Sequence, residues 1–397
     1  MMYRKVIKSV NEIRWADGLI VNNRLNEITY SPMRSQEEFV MRLIRENSKT
    51  TYGLKMNFSR IHNVDEFRSC VPLTTYDDYS DYIEQIAAGK KNVLTVYLTE
   101  HFSLLSGYKK LPVSRWDVQM AFDYNFCSSF YIAVCHGLLT DGMTLNLVDN
   151  SVSRLPTNVT VGKLLGRLLV KRKFDNDKIY VIPVEVANPP EREDISYLQA
   201  LFALKQNNVS LVMCERYSYL VDLLRYIEKH WPRLADDIEL GNPYIQADVK
   251  RAKVIREVME KHHIGTQLVP LLWPELHCVM VFDVDNLNAS FELLRTYCGG
   301  NVQFLFTGIS SPEGTFSTAL NLDDPQTVLI PASVFYEFKP KEAKDYNHLL
   351  TIDQLKIGKS YELIVTTLSG LYRYITHIHL LVVGIYHDTP TVIIDDR

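Results

Sequence analysis

The sequence predicts an α/β fold: an N-terminal body with mixed or parallel sheets covered by helices, and a β-rich, barrel-like region near the C-terminus. Three observations predict the α/β layout. Short apolar runs alternate with helical patterns through the middle of the chain, namely KIYVIPVEVA (178–187), SLVMCE (210–215), CVMVFDV (278–284) and VQFLF (302–306). Strand–helix–strand order of this kind gives a parallel or mixed sheet under helices. From residue 328 onward the pattern changes to strands joined by short turns. Finally, 397 residues that are 46% hydrophobic and 23% charged are enough for one large core or two to three domains.

Taken in order, Ser35-Gln36-Glu37-Glu38 reads as a capping box, with the Ser35 oxygen accepting from the Glu38 N–H and the Glu38 side chain returning the bond. It precedes EEFVMRLIRENSK, where Phe39, Leu43 and Ile44 share a helical face. Thr51 to Gly53 should end that helix. Short helices are expected at Val64–Cys70 and 76–88, the second with Tyr79, Ile83 and Ile86 on one side. VLTVYL (93–98) is strand-like. Helices are expected at 195–206, 217–230, 248–262 and 286–298, between the strands already named. VLIPASVFYEF (328–338), SYELIVTT (360–367), LYRYITHIHLLVVGIY (371–386) and TVIID (391–395) form the β-rich end.

Composition removes several classes of function. The net charge of -4 gives no basic field for nucleic acid. No apolar run has the length of a membrane span. The opening MMYRKVIKSVNEIRW carries charges without an apolar stretch, unlike a secretory signal. The six cysteines are scattered without CxxC spacing, as reduced thiols of a cytoplasmic protein would be.

The motifs that carry chemistry are few. SLLSGYKKLPVS (103–114) follows the strand-like run. Phosphate binding needs several N–H groups around one concavity and a lysine, and Ser103, Ser106, Gly107, Lys109 and Lys110 supply a partial set. Alone, the stretch reads as a polar turn between two strands. SSPEGTF (310–316) places Glu313 in a turn, where a glutamate suits a magnesium ion or a nucleotide, or simply a solvated loop. Glu337 sits among aromatics in FYEF. His377 and His379 share a strand face without a third ligand, and Cys135-His136 and His262-His263 point apart. The aromatics of DYNFCSSFYIAV (123–134) suit either an apolar slot or a core.

Taken together and in order, these pieces resemble one family, the auxin-responsive acyl-acid amido synthetases (the Gretchen Hagen three family) of the adenylate-forming enzymes. The likeness rests on EEFVMRLIRENSKTTYGLKMNFSRIHNVDEFRSCVPLTTYDDYSDYIEQIAAGKKNVLT, on PEREDISYLQALFALKQNNV and LLRYIEKHWPRLADDIELG, and on LVPLLWPELHCVMVF, SSPEGTF, VFYEFKP and GKSYELIVTTLSGLYRYITHI. It covers about nine-tenths of the chain. The resemblance implies ATP, magnesium, a small carboxylic acid and an amino acid. The carboxylate would attack the α-phosphate to give an acyl-adenylate, and the amine would then take the acyl group and release AMP. It places Ser106, Gly107, Lys109 and Lys110 at the phosphates, Glu313 near magnesium and Glu337 near the base. Tyr372 and Arg373 would shape the nucleotide side of the cleft, and the 122–134 helix the acyl pocket. Residues 1–327 would form the body and 328–397 the β-rich subdomain.

The chain departs from the resembled pattern at four places. The family's loop has further hydroxyl and glycine residues before its lysine, whereas Leu105-Ser106-Gly107 runs directly into Tyr108-Lys109-Lys110. A charge-assisted hydrogen bond contributes about 1.5–3 kcal/mol, and losing one transition-state donor costs about 100- to 1000-fold in rate. Where the family has a ribose-gripping aspartate after Leu-Tyr-Arg-Tyr, this chain has Ile378. Pro312 precedes Glu313, removing an N–H. Arg397 aligns with the family's interdomain hinge, so the small mobile C-terminal domain is expected to be absent, or supplied by a partner protein. The expectation is a degenerate, ligase-type protein that keeps an acid pocket with weak or no ATP chemistry. The alternative is an active ligase with an altered loop, completed by a partner chain.

Overall fold

The computed structural model describes residues 10–105, 109–149, 152–166, 179–183, 193–282 and 289–395. A parallel sheet lies at the centre, made of β3 (Met143–Leu147), β6 (Val209–Cys214), β7 (Cys278–Val281) and β8 (Gln303–Phe306) in the order β3-β6-β7-β8. Its strands read as continuous apolar runs because both faces are covered. Val212, Cys214, Val279, Val281, Phe304 and Phe306 face one core; Leu211, Met213, Cys278, Met280 and Leu305 face another. This is the period of two that the pleat imposes.

The helices, numbered here along the chain, are α1 (Val10–Thr29), α2 (Pro32–Glu46), α3 (Thr51–Lys55), α4 (Val64–Cys70), α5 (Tyr76–Ala87), α6 (Arg115–Ala121), α7 (Ser128–Cys135), α8 (Glu193–Lys205), α9 (Tyr217–Leu240), α10 (Val249–Lys261), α11 (Val269–Leu272) and α12 (Ala289–Cys298), and the last five close the first core. Residues from α8 to α12 pack against the sheet. Arg251 holds three of these segments together. Its buried guanidinium donates to the carbonyls of Leu204, Gln206 and Leu272 at 2.6, 3.0 and 3.0 Å. Burial lowers its pKa to about 10. The expected helix at 217–230 continues to Leu240 through Pro232. Proline removes one backbone bond, but Leu234, Ala235 and Ile238 beyond it are fully buried, and that packing keeps the helix going.

The C-terminal region is an open six-stranded antiparallel sheet rather than a barrel. It comprises β11 (Ser317–Ala319), β12 (Thr327–Leu329), β13 (Phe335–Pro340), β14 (Ser360–Thr366), β15 (Tyr374–Tyr386) and β16 (Thr389–Ile394), in the order β11-β12-β16-β15-β14-β13. Residues of α2, α4 and α5 form one core with it. VLIPASVFYEF is thus two strands, not one. Gln36 satisfies the break: its Nε2 donates to Pro331 O (2.5 Å) and Val334 O (2.7 Å), and its Oε1 accepts from Tyr336 N (2.7 Å).

A third sheet, β2-β1-β5-β4, holds the strand before the lysine loop. Its members are β1 (Thr99–Leu104), β2 (Lys110–Ser114), β4 (Val152–Arg154) and β5 (Thr160–Gly162). A short hairpin, β9 (Ser310–Ser311) with β10 (Gly314–Thr315), completes the set. Local expectations met two corrections. VLTVYL is irregular, and the strand starts at Thr99. Ser35 lies inside α2, which begins at Pro32 after Ser31; proline at a helix start is favoured because its missing N–H would be unpaired there anyway. Capping boxes occur instead at Thr75 with Asp78 and at Ser114 with Asp117. Of the expected 178–187 strand, only 179–183 lies in the described residues, where Tyr180 bridges to Thr144.

Candidate active-site cleft

A cavity of about 290 Å³ opens where the parallel strands end. Glu215 and Arg216 follow β6 and Phe282 follows β7, so this wall is the carboxyl edge of the sheet, where open α/β folds hold their ligands. Ser103 and Leu104 of β1, Ala121 at the end of α6, Asn125 after it, and Ser310, Ser311 and Pro312 make the opposite wall. Lys163, Leu164 and Leu165 close one side. Apolar surface dominates, with a few polar groups converging, as suits a small-molecule site. A larger groove of about 650 Å³ between α8 and α9 holds none of the residues the sequence singles out.

The chain between α6 and α7 makes a π-helical turn over Phe122–Cys127, a feature frequent at functional sites. Thr318 Oγ1 donates to Tyr124 O at 2.5 Å. Asn125 Nδ2 donates to Thr307 O at 3.3 Å, and Ser310 Oγ donates to Asn125 Oδ1 at 3.0 Å. The turn thus joins the α6–α7 arm to the β9 hairpin at the cleft. The aromatics of this arm divide. Phe126 and Phe130 are buried, and Phe126 packs on Phe282 with ring centroids 4.8 Å apart.

The charged pair of the cleft is Lys163 and Glu215, with Nζ and Oε1 2.6 Å apart. Burial opposes the ammonium, but the hydrogen bond and charge of Glu215, with Tyr219 and Asp149, outweigh it and raise the Lys163 pKa. Glu215 directly follows the apolar run SLVMC, so its position at a strand's carboxyl end was readable. Lys163 carried no signal of its own, because its role depends on β5 lying beside β1.

The residues singled out by sequence fall into three groups. Ser106 and Gly107 lie outside the described residues. Lys109 and Lys110 lie on the α5 side of the β1–β2 hairpin. Lys109 Nζ is 3.6 Å from Asp77 and 4.6 Å above the Tyr76 ring, and Lys110 Nζ is 3.1 Å from Glu84. Ser103 does line the cleft.

Glu313 is buried beside it, and Ser311 Oγ donates to its Oε2 at 2.5 Å. Burial raises its pKa, against the Ser311 bond, its own N–H and the His377 charge. No group of three His, Cys, Asp or Glu converges on a metal-sized site among the described residues. Magnesium at nucleotides is usually held by one or two carboxylates together with phosphate oxygens.

Glu337, Tyr372 and Arg373 are in the core, not on a cleft wall. Glu337 is 1% exposed, and both its oxygens are taken by Arg373 and Arg68. Tyr372 donates to Leu94 O at 2.9 Å and stacks on Tyr52 at 4.9 Å between centroids. Glu337 and Tyr372 are thus hydrogen-bonded within the core, and Arg373 directs four of its five N–H groups to Glu337, Arg68 and Val71. Downstream, the β14–β15 register jumps from Ile364↔Ile375 to Glu362↔His379, so residues 376–378 bulge. His377 has φ +60° there. Ile378 packs against the neighbouring core.

Comparison with known proteins settles the family. The GH3 family N-terminal domain matches residues 21–303 and the GH3 family central domain matches 327–397. The chain belongs to the GH3 family. It is 24% identical to indole-3-acetic acid-amido synthetase GH3.8 of Oryza sativa subsp. indica, over 92% of this chain and 66% of that protein. It is 22% identical to 4-substituted benzoates-glutamate ligase GH3.12 of Arabidopsis thaliana, over 92% and 69%. A solved structure, AtGH3.15 acyl acid amido synthetase in complex with 2,4-DB, matches with a TM-score of 0.82 at 20% identity, over 98% of this chain and 71% of that one. That likeness carries the GH3 fold, and the strand-end cleft described above lies within it.

Proposed function

We propose that this GH3 chain binds a small carboxylic acid in the strand-end cleft and performs ATP-dependent adenylation weakly or not at all. The observation that carries the second half is Ile378. An isoleucine packed on the core stands where the resembled pattern places a ribose-gripping aspartate, and a side chain without acceptors cannot pair two hydroxyls. Sites built to pair a polar group discriminate strongly through it.

Further support comes from the chain's own residues. The Glu313 carboxyl is buried, which raises its pKa, and the Glu337 carboxylate is committed to two arginines. The two lysines of the loop sit beside carboxylates of α5. Those two pairs are exposed at one or both ends, and such pairs are worth about 0–1 kcal/mol, so they bias the lysines without locking them. The acid would lie along Leu104, Leu164 and Phe282, with Asn125, Ser103 and Ser310 offering hydrogen bonds.

ATP, where bound, would supply the activating adenylyl group, with pyrophosphate leaving. The chain's contribution is to seat the acid and exclude water. A second reading, an active amido synthetase completed by another chain, is favoured by the names of the matched relatives, which are synthetases and ligases. A paired titration with ATP–magnesium and with a panel of aryl and alkyl carboxylic acids tests the proposal. Acid binding with a nucleotide affinity at least about tenfold weaker supports it. Nucleotide binding without acid binding contradicts it.

A further inference from the structure

The cleft wall contains a polar atom that the fold leaves unmatched. Glu215 Oε1 takes the Lys163 ammonium at 2.6 Å, while Oε2 is buried, with less than 1 Å² exposed, and has no hydrogen-bond partner among the described residues. Three other glutamates with little exposure and ionic partners are treated differently, Glu362 among them, with both oxygens filled by Lys339, Tyr346 and His377. Glu337 has both oxygens filled by arginines, and Glu228 has both filled by His262, Gly265 and Tyr297. An unmade hydrogen bond at a buried charged group is expensive, and such orphans in native structures call for an explanation. Glu215 differs from the others in its place, since it lines the cleft at the end of a central strand.

We propose that Glu215 determines the specificity of the cleft by accepting a hydrogen bond from the ligand. The cleft then prefers a small carboxylic acid whose apolar body carries a hydroxyl or N–H over the plain hydrocarbon acid. Lys163, 2.6 Å from Glu215 and 3.8 Å from Asp149, together with Arg216 of the cleft lining, offsets the two carboxylate charges, so the wall does not repel an anionic ligand, yet the second oxygen of Glu215 remains an acceptor. The terminal carboxylate torsion of glutamate is soft and roughly two-fold, so Oε2 can turn to the cleft while Lys163 stays paired. The surrounding wall of Leu164, Leu165 and Phe282 offers a plain acid contact but no penalty-free partner for that oxygen. The inference rests on the reading of the cleft as a small-acid site.

The test is calorimetric titration of the full chain with phenylpropanoate and its ortho-, meta- and para-hydroxy and methoxy derivatives. For the unaltered protein, at least one hydroxy derivative should bind about tenfold or more tightly than phenylpropanoate. In Glu215→Gln the amide oxygen should stay on Lys163 and the NH₂ should face the cleft. The hydroxy preference should then fall below about threefold, and the matching methoxy acid should gain, because the wall now donates. A merely structural glutamate would not reverse the order. Equal binding of plain and hydroxy acids at every ring position, or an unchanged order in Glu215→Gln, overturns the inference. If no acid of the panel binds, the small-acid reading of the cleft fails first and takes this inference with it. Should Glu215→Gln lose its circular dichroism signature, the order found for the unaltered chain decides alone.

Discussion

Arg373 and Glu337 meet fork to fork in the core, Nε to Oε2 at 2.8 Å and Nη2 to Oε1 at 2.9 Å. Arg68 Nε adds a third bond to Oε1 at 3.0 Å. Arg373 also donates to Val71 O at 2.7 Å and to Arg68 O. The pair thus ties β13 and the start of β15 to the end of α4. Removing one partner strands a buried charge, whereas removing both leaves a cavity that an apolar pair can fill. Glu337→Ala or Arg373→Ala should cost about 3–5 kcal/mol in urea unfolding, and Glu337→Leu with Arg373→Met should cost much less. Single variants within about 1 kcal/mol of the parent would show that the network is dispensable.

The Glu313 carboxyl has its pKa raised, chiefly by burial. A folded value above the unfolded one means the fold favours the protonated form. That contribution is full below the ordinary carboxylate range and is lost as pH rises through the raised value. Glu313→Gln removes the burden of a buried carboxylate, so it should stabilise the protein more at neutral pH than at pH 4. Thermal melting at the two pH values reads this directly. A variant that is less stable at neutral pH only would reverse the sign.

Glu228 shows the opposite sign. Burial opposes its charge, but the Tyr297 hydroxyl at 2.6 Å, the Gly265 N–H at 2.9 Å and His262 Nε2 at 2.8 Å outweigh it and lower the pKa. The resulting stability is present above the ordinary carboxylate range and lost as pH falls through the lowered value. Glu228→Gln should therefore cost about 1–3 kcal/mol at neutral pH, and the gap from the parent should close in acid. A gap independent of pH would assign the loss to packing instead.

His377 sits at φ +60° in the β15 bulge, with 72% of its side chain exposed and its Nδ1 3.0 Å from Glu362. A left-handed conformation costs a residue with a Cβ roughly 1–2 kcal/mol, and an exposed pair returns less than that. We expect His377→Gly to keep or raise stability by up to about 1 kcal/mol, measured by chemical denaturation. A clear loss would mean that the Glu362 contact outweighs the backbone strain.

Much of this fold could be read from residue pattern. The runs LVMC (211–214), CVMV (278–281) and FLF (304–306) are apolar at every position because helices cover both faces, and α4, α5, α8 and α10 lie within a few residues of their expected limits. What pattern could not show was tertiary. Ser35 has capping chemistry, yet Pro32 starts the helix a turn earlier. VLTVYL has strand residues, but Asn47 Oδ1 rather than a neighbouring strand takes the Val96 N–H at 2.8 Å. At the site, Glu313 and Ser103 were legible from their turns. The core positions of Glu337, Tyr372 and Arg373 were not, because their partners Arg68, Leu94 and Tyr52 are some 270 to 320 residues away in the sequence. Lys163 and Glu215 meet only because two separate sheets converge on one cleft.

The most direct measurement is acid-dependent exchange of labelled pyrophosphate into ATP, with magnesium and a carboxylic acid first shown to bind the cleft. With Ile378 in place of a ribose-gripping carboxylate, exchange should stay at the level seen without acid. Exchange that rises with that acid, saturating at its binding concentration, would contradict the proposal and establish the chain as a working adenylating enzyme.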